Sequence, residues 1–396
     1  MDLFSEVTYD SLFINTFQQQ AYLESLSNQA LSRGIDQYTK KDYDKAAQEF
    51  QRSLSLSPNS TYSVDATKYL AQTYLKLGKT EKAIEAYKTA LQRHTAQDDL
   101  HSALGNIYFS EDRFQEAVKS YEAAVNINPS SSNRYSLGQG YMHTEQYGLA
   151  RSQFNMVIRL EPQSAYGYYG LGQTLAKEGS YERAIEQFDK AIRYDREFSD
   201  AYLEKGYAYA DMGELDKAGE MAELLEDQDS DLSDMLKAYM GQVESPKILF
   251  AWGSSTFRYT KSVNTPVASL DAYLENAGAA KSMTIKLQFN KAMDRASVEN
   301  PLNWNISRST IAKPGQTYNF GEAVPDTEVT LAPFPDYVLY DADSMMATVG
   351  FTLYQNETAD GTIDPGHILF KFMGKDDFGL AMDSDYDEFS GFSGSV

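Results

Sequence analysis

The chain has 396 residues, a formal charge of −22 from 57 acidic and 35 basic side chains, and no cysteine. That length leaves room for roughly two or three domains, each with a core of its own. The charge disfavours wrapping nucleic acid or lying on an anionic membrane, since both need clustered cations, and the missing thiols remove disulfides, thiolate metal sites and cysteine nucleophiles.

The N-terminal stretch MDLFSEVTYDSLFINTF opens with acidic residues and has no basic segment followed by an apolar run, so a cleavable secretory signal is not expected. No window approaches the ~18 apolar residues of a membrane-spanning helix. A cytoplasmic location is therefore the first expectation. The cell surface, reached by export without a cleavable signal, is the second. Apolar residues at Leu12, Phe13, Phe17, Tyr22, Leu23 and Leu26, without Pro or Gly, predict a helix from about Asp10. We read residues 1–26 as a capping helix or docking arm, since the end of a repeat array needs a cover.

From Ser27 one unit recurs. A small residue returns at Ala46, Ala83, Ala117, Ala150, Ala184 and Ala218, at intervals of 37, 34, 33, 34 and 34 residues. Only the first interval carries an insertion, around Asn59 to Ser63. Gly34, Gly105, Gly138, Gly172 and Gly206 mark the preceding helix of five units, with Ala71 in the second unit. Phe50, Tyr87, Tyr121, Phe154 and Phe188 take a large position, and Pro58, Pro129 and Pro162 end their units. Small residues opposite large ones at these offsets predict pairs of amphipathic helices that cross closely. The window 99–132, with Leu104-Gly105, Tyr108, Phe114, Ala117, Tyr121, Ala124 and Pro129, resembles a tetratricopeptide repeat (TPR). The resemblance implies a right-handed α-solenoid of about six TPR units over 27–232, a fold that binds other proteins. No TPLH-like start points to ankyrin units, and the acidity speaks against an RNA-reading pentatricopeptide array. Asp231 to Met240 predicts a C-terminal cap helix within a connecting stretch 233–245.

After Gly241 alternation replaces the helical period. Met283, Ile285, Leu287 and Phe289 share one face of a strand; Ala347, Val349, Phe351 and Leu353 repeat the pattern, as do Ile368, Phe370 and Phe372. Short strands between Pro, Gly and Asn turns predict a small β-sandwich. Within it, LQFNKAMDRASVENPLNWNIS (287–307) and GKDDFGLAMD (374–383) resemble segments of bacterial Ig-like domains of the surface-layer type, with Ala292 and Leu380 departing from the family pattern. This resemblance implies an Ig-like β-sandwich over 246–380 and a bacterial source. The acidic, Ser- and Gly-rich segment 381–396 is expected to be a flexible tail.

No catalytic constellation is legible. The four histidines, His94, His101, His143 and His367, form no ligand set, and there is no P-loop, no dinucleotide fingerprint and no nucleophile elbow. Asp383, Asp385 and Asp387 are spaced like the start of a calcium loop but lack its glycine and closing glutamate. We therefore expect neither an enzyme nor a cofactor or metal. In TPR arrays the first helices line a concave groove. The positions that point inward give a row of amides, Gln72, Asn106, Gln139 and Gln173, flanked by Tyr38, Lys68, Lys76, Phe109, Tyr135, His143, Tyr169, Lys177 and Tyr207. Amides at one-unit spacing suit the backbone of an extended peptide, and the rings suit its side chains. Lys68 fits the family's carboxylate clamp, but Ala103, Ser132 and Ser136 stand at other clamp positions, so that clamp is not expected. Residues 199–240 hold 12 acids and 3 bases, a net of −9.

The resulting expectation is a non-enzymatic scaffold that binds a partner protein or extended peptide in the groove, with the Ig-like domain as spacer or second docking surface. Nucleic acid and membrane insertion are not expected. The alternative is a structural subunit of a bacterial surface appendage or envelope assembly that self-associates as a homo-oligomer. In one form of that alternative the acidic, aromatic tail, with Tyr386, Phe389 and Phe392, docks among Lys68, Lys76, His143 and Lys177.

Overall fold

The computed structural model describes residues 9–310 and 316–391, with side chains of the first helix from Gln18 onward. Residues 1–8 of the expected cap and 392–396 of the expected tail lie outside the described residues. Two compact units divide the chain: Met1–Met212 with Lys217–Ser233, and Gly213–Asp216 with Asp234–Val396.

The first unit is built from antiparallel helix pairs. In chain order they are α1 (Tyr9–Thr39) with α2 (Tyr43–Leu56), α3 (Ser63–Lys76) with α4 (Thr80–Leu91), and α5 (Asp98–Ser110) with α6 (Phe114–Ile127). Then come α7 (Ser131–His143) with α8 (Tyr147–Leu160), α9 (Ala165–Lys177) with α10 (Tyr181–Tyr194), and α11 (Ser199–Asp211) with α12 (Leu215–Glu226). A further helix, α13 (Ser230–Val243), follows where the cap helix is expected. Each repeated alanine, Ala46, Ala83, Ala117, Ala150, Ala184 and Ala218, is fully buried.

The reason for small residues on the first helices is visible atom by atom. A Cβ on Gly34 would stand 2.5 Å from the Phe50 ring, on Gly105 2.5 Å from Tyr121, on Gly138 2.8 Å from Phe154, and on Gly172 2.6 Å from Phe188. Each ring of a second helix thus lies flat on the backbone of its own first helix. Phe154 also meets the next unit, because a Cβ on Gly170 would approach it to 2.3 Å. Burial of such a ring stabilises by ~1.5–3 kcal/mol, and the same contact passes from unit to unit.

Each turn inside a pair uses one residue with a left-handed backbone. These are Lys41, Gly78, Asp112, Glu145, Gly179 and Gly213, with φ of 60°, 68°, 57°, 59°, 74° and 77°. They follow the same period as the alanines. Only half are glycine, which is why the turns are hard to see in the sequence. The insertion near Asn59 lies in the loop between α2 and α3, where it leaves the helices intact.

One expected boundary does not exist. Helix α1 runs unbroken across residues 26 and 27, so the described part of the cap and the first helix of the first unit are one element. The physical reason is that nothing between Tyr9 and Arg33 breaks a helix, Gly34 being the first glycine and sitting in the Phe50 contact.

The second unit contains β1 (Ile248–Ala251), β2 (Thr265–Pro266), β3 (Ala280–Phe289), the short helix α14 (Arg295–Val298), β4 (Trp304–Arg308), β5 (Tyr337–Asp341), β6 (Met346–Tyr354), β7 (Thr362–Ile363), β8 (Ile368–Phe372) and β9 (Glu388–Phe389). They form an antiparallel four-stranded sheet in the order β1-β3-β6-β5, a three-stranded sheet β4-β8-β9, and a two-stranded pair β2-β7. The alternation in the sequence is the inner face: Met283, Ile285, Leu287 and Phe289 on β3 and Ala347, Val349, Phe351 and Leu353 on β6 are all buried. Rings join the two larger sheets into one core. Phe289 lies 5.5 Å from Phe372 and Phe351 5.5 Å from Phe370, and within the three-stranded sheet Trp304 lies 4.6 Å from Phe372. Both sheets are open rather than closed into a barrel. At the β5 edge side chains take the place of a further strand: Glu299 Oε1 accepts from the Tyr340 N–H at 3.1 Å, and Arg295 Nη1 donates to the Tyr340 carbonyl at 2.8 Å.

The expected flexible tail is corrected over 381–391. β9 pairs with β8, with Phe370 opposite Phe389 and Lys371 opposite Glu388. Phe389 is buried, Lys371 pairs with Asp387 at 2.9 Å, and the Ile248 N–H donates to the Tyr386 carbonyl at 2.9 Å. Composition alone missed this because two residues carry the strand, and the charges that read as solvated tail neutralise Lys371.

Candidate partner-binding face of the solenoid

The first helices of the pairs carry the row of amides, and a hydrogen-bonded ladder joins its far half. Tyr135 and Gln139 stand one turn apart on α7, Tyr169 and Gln173 one turn apart on α9, so each tyrosine hydroxyl reaches the amide behind it. Gln139 Nε2 donates to the Tyr135 hydroxyl at 3.0 Å and to Gln173 Oε1 at 3.3 Å. Gln173 Nε2 donates to the Tyr169 hydroxyl at 3.0 Å and to Glu204 Oε1 on α11 at 2.9 Å. Burial raises the Glu204 carboxyl above the ordinary carboxylate range; Gln173 and Lys177 oppose this, and Asp200 adds to it. Burial also pushes the Tyr169 hydroxyl well up, with the charges of Glu204 and Asp200 acting in the same direction. Tyr207, half-buried, is raised by burial and then by Glu204.

Rings continue along this face. Tyr135 lies 6.0 Å from Tyr166, Tyr166 5.4 Å from Phe198, and Phe198 4.7 Å from Tyr169. Nearer the middle, Phe109 packs against His143 at 4.8 Å and against Phe114 at 5.2 Å. Burial lowers the His143 pKa, Lys177 lowers it further and Asp112 opposes them.

The near half is organised differently. Lys68 forms an ion pair with Asp99 of the next unit, which uses the clamp-like lysine internally. Tyr38 packs edge-on to Tyr43 at 5.4 Å and Tyr69 at 6.3 Å. Gln72 and Lys76 are exposed. Asn106 is exposed but accepts from the buried Tyr121 hydroxyl at 2.8 Å. The amides Asn106, Gln139 and Gln173 are therefore engaged with their own fold.

The ladder brings Tyr135, Gln139, Tyr169 and Gln173 together with Lys177 and Tyr207 nearby, and leaves Tyr38, Lys68, Gln72 and Lys76 apart. It also recruits Tyr166, Phe198, Asp200 and Glu204, which the periodic reading missed. Glu204 follows Gln173 by 31 residues and not by a full period, and Phe198 is a helix-capping residue outside the regular pattern. The tail-in-groove arrangement is also corrected, because Asp387 and Phe389 are built into the three-stranded sheet and Lys68 is paired. Phe392 lies outside the described residues.

A cleft of about 680 Å³ lies elsewhere, between α2, α3 and α4, lined by Gln51, Leu54, Tyr74, Lys82, Arg93 and His94. Its polar groups are partly spent inside the fold, with Gln51 Nε2 donating to the Tyr74 hydroxyl at 2.6 Å and His94 Nε2 lying 2.9 Å from Ser63 Oγ. No group of three or more His, Asp or Glu that could hold a metal ion occurs among the described residues. Among them, too, no helix is long and apolar enough to cross a membrane.

Comparison with known proteins agrees with this architecture. Tetratricopeptide-repeat family models match residues 70–132, 173–213 and 199–231. The Photosystem I assembly protein Ycf3 of Synechococcus sp. (strain CC9605) is 30% identical over 110 residues, covering 24% of this chain and 64% of that protein. Across the curated relatives the match spans 9% to 64% of their own length. Among solved structures, a tetratricopeptide repeat protein from Parabacteroides merdae superposes with a TM-score of 0.50 at 17% identity, covering 55% of this chain and 86% of that one. The pilus biogenesis factor PilW gives a TM-score of 0.45 at 18% identity, covering 53% of this chain and 98% of that one. The chain thus carries a tandem-helix TPR domain, of a fold that generally mediates protein–protein interaction, followed by a C-terminal β-sheet region.

Proposed function

We propose that this protein is a non-enzymatic interaction module in the assembly of a larger complex, and that it holds an extended segment of a partner along the first-helix face. The observation that carries the reading is the ladder through Gln139 and Gln173. Its amides are already oriented by tyrosine hydroxyls, and the Gln–Gln bond, at 3.3 Å, is long enough to be exchanged for a peptide group without loss. Rings on either side supply rigid apolar area at low entropic cost. Similarity to the Photosystem I assembly protein Ycf3 supports a role in assembly.

The β unit favours an envelope or surface-appendage setting over a free-standing peptide scaffold. Apart from the small β2-β7 pair, its seven strands have the order first-second-fifth-fourth in one sheet and third-sixth-seventh in the other. This strand order is the one expected of an immunoglobulin constant-type domain, and it supports that reading. Trp304 is fully buried on the third of the seven, as in that fold. Together with the resemblance of 287–307 to surface-layer-type modules, this supports an Ig-like spacer or docking domain in a bacterial envelope assembly. In that setting the protein acts as accessory or as a self-associating subunit. Fractionation of washed source cells tests it: recovery with an envelope or polymer fraction is expected, and recovery only as a free cytosolic monomer contradicts the envelope setting. Co-purified partner should be lost on Gln139→Ala/Tyr169→Ala; undiminished capture would remove the first-helix face.

A further inference from the structure

We infer that the end of the first-helix face between α7, α9 and α11 is a cation subsite that takes a lysine or arginine side chain of the bound segment. The inference rests on the reading that this face binds an extended segment, and it adds the chemistry of one position. Three features coincide there. Tyr166 is 59% exposed in the first turn of α9 and leans on Phe198, with Tyr135 and Tyr169 completing a ring-lined wall. Cations are attracted to ring faces, most strongly when partly desolvated. Asp200 and Glu204 are one turn apart on α11 and so share one side of that helix, facing the same rings. Gln173 Nε2, bonded to the Tyr169 hydroxyl, also donates to Glu204 Oε1 at 2.9 Å, which locates that carboxylate beside the wall; the charge of Asp200 acts on the hydroxyls of both Tyr135 and Tyr169, and that of Glu204 on Tyr169.

The chain's own cation here, Lys177, acts on Glu204 and His143 and is exposed. Lys205, next to Glu204 in sequence, is taken by Asp189 at 2.7 Å. An incoming cation therefore meets two carboxylates and several rings against one exposed ammonium. An acidic side chain would meet the two carboxylates with nothing in return but Lys177, and an apolar one would desolvate them.

The test uses the full chain and three fluorescent peptides of ~10 residues, alternating Gly and Ser except for a central Arg-Arg, Gln-Gln or Glu-Glu, read by anisotropy at low salt. The Arg-Arg peptide is expected to bind about tenfold tighter than Gln-Gln, with Glu-Glu weakest. Asp200→Asn/Glu204→Gln should reduce that preference to about threefold or less, the Gln173 bond being kept. Tyr166→Ala, at an exposed position, should do the same should the double variant fail to fold. Equal binding of Arg-Arg and Gln-Gln, both weakened by Gln139→Ala, overturns the cation subsite and leaves the face itself standing. A preference that survives both variants also overturns the subsite. Absence of binding by every peptide up to about millimolar concentration overturns the face and the subsite together.

Discussion

The two units solve the same burial problem by opposite routes. In the solenoid Phe50, Tyr121, Phe154 and Phe188 each meet a glycine of their own or the adjacent unit, as Phe154 meets Gly138 and Gly170. Contacts are near in sequence and repeat, so the loss of one is felt mainly by its neighbours. In the β unit the core is non-local: β1 pairs with β3, β3 with β6, and β4 with β8. A binding face can be spread over many repeats of the first kind, whereas the second kind stands or falls as a whole.

The sharpest way to break this contrast is to empty one ring from each core. Phe154→Ala and Phe372→Ala should each cost ~3–5 kcal/mol, since both side chains are fully buried. Phe154→Ala should broaden the helical melting transition by circular dichroism, while Phe372→Ala should abolish the near-ultraviolet aromatic signal of the β unit in one step. Equal cooperativity in both variants would remove the distinction. Deleting 383–391 should come next, at about 3 kcal/mol, because it takes away the buried Phe389 and the strand against β8. A melting temperature unchanged by the deletion would return this stretch to the status of a tail.

The β unit should also respond to pH. Burial raises Glu328 to about 7 from its ordinary 4.5, with Arg308 opposing and Asp364 adding. The Tyr318 hydroxyl donates to Glu328, and Asp364 holds His367 Nδ1 at 2.6 Å. A carboxyl raised in the folded state binds its proton more tightly there than when unfolded. Its contribution is thus full below about 4.5 and is lost as pH rises through about 7. Glu328→Gln should flatten the stability of the β unit across that window, measured by denaturant titration at several pH values. The smallest effect belongs to the solenoid turns. Gly78 has φ of 68° and open space around it, so Gly78→Ala should cost ~1 kcal/mol from backbone strain alone. Unchanged stability would mean that these turns are not strained.

What the sequence made legible follows the same contrast. The alanine and ring positions could be read because each unit repeats one packing geometry, and β3, β6 and β8 could be read because their inner faces are long and alternating. β1 could not: only Ile248 is buried, while Leu249 and Phe250 are exposed, so no alternation marks it. β5 turns only Val338 and Tyr340 inward, and β9 is two residues long. On the candidate face, Gln139 and Gln173 stood out by their spacing. That they bond to each other, that Lys68 is spent on Asp99, and that Tyr166, Phe198 and Glu204 join them depends on which side chains meet across units, which period alone does not encode.

Site-specific photo-crosslinking in source cells shows whether a partner lies along the first helices. A photoreactive residue would replace Gln72, Tyr166 or Tyr207 on the first helices, and Leu149 or Tyr194, both exposed, on second helices. The account predicts adducts to one partner from the first-helix positions and none from Leu149 or Tyr194. Adducts confined to the second-helix positions would contradict it.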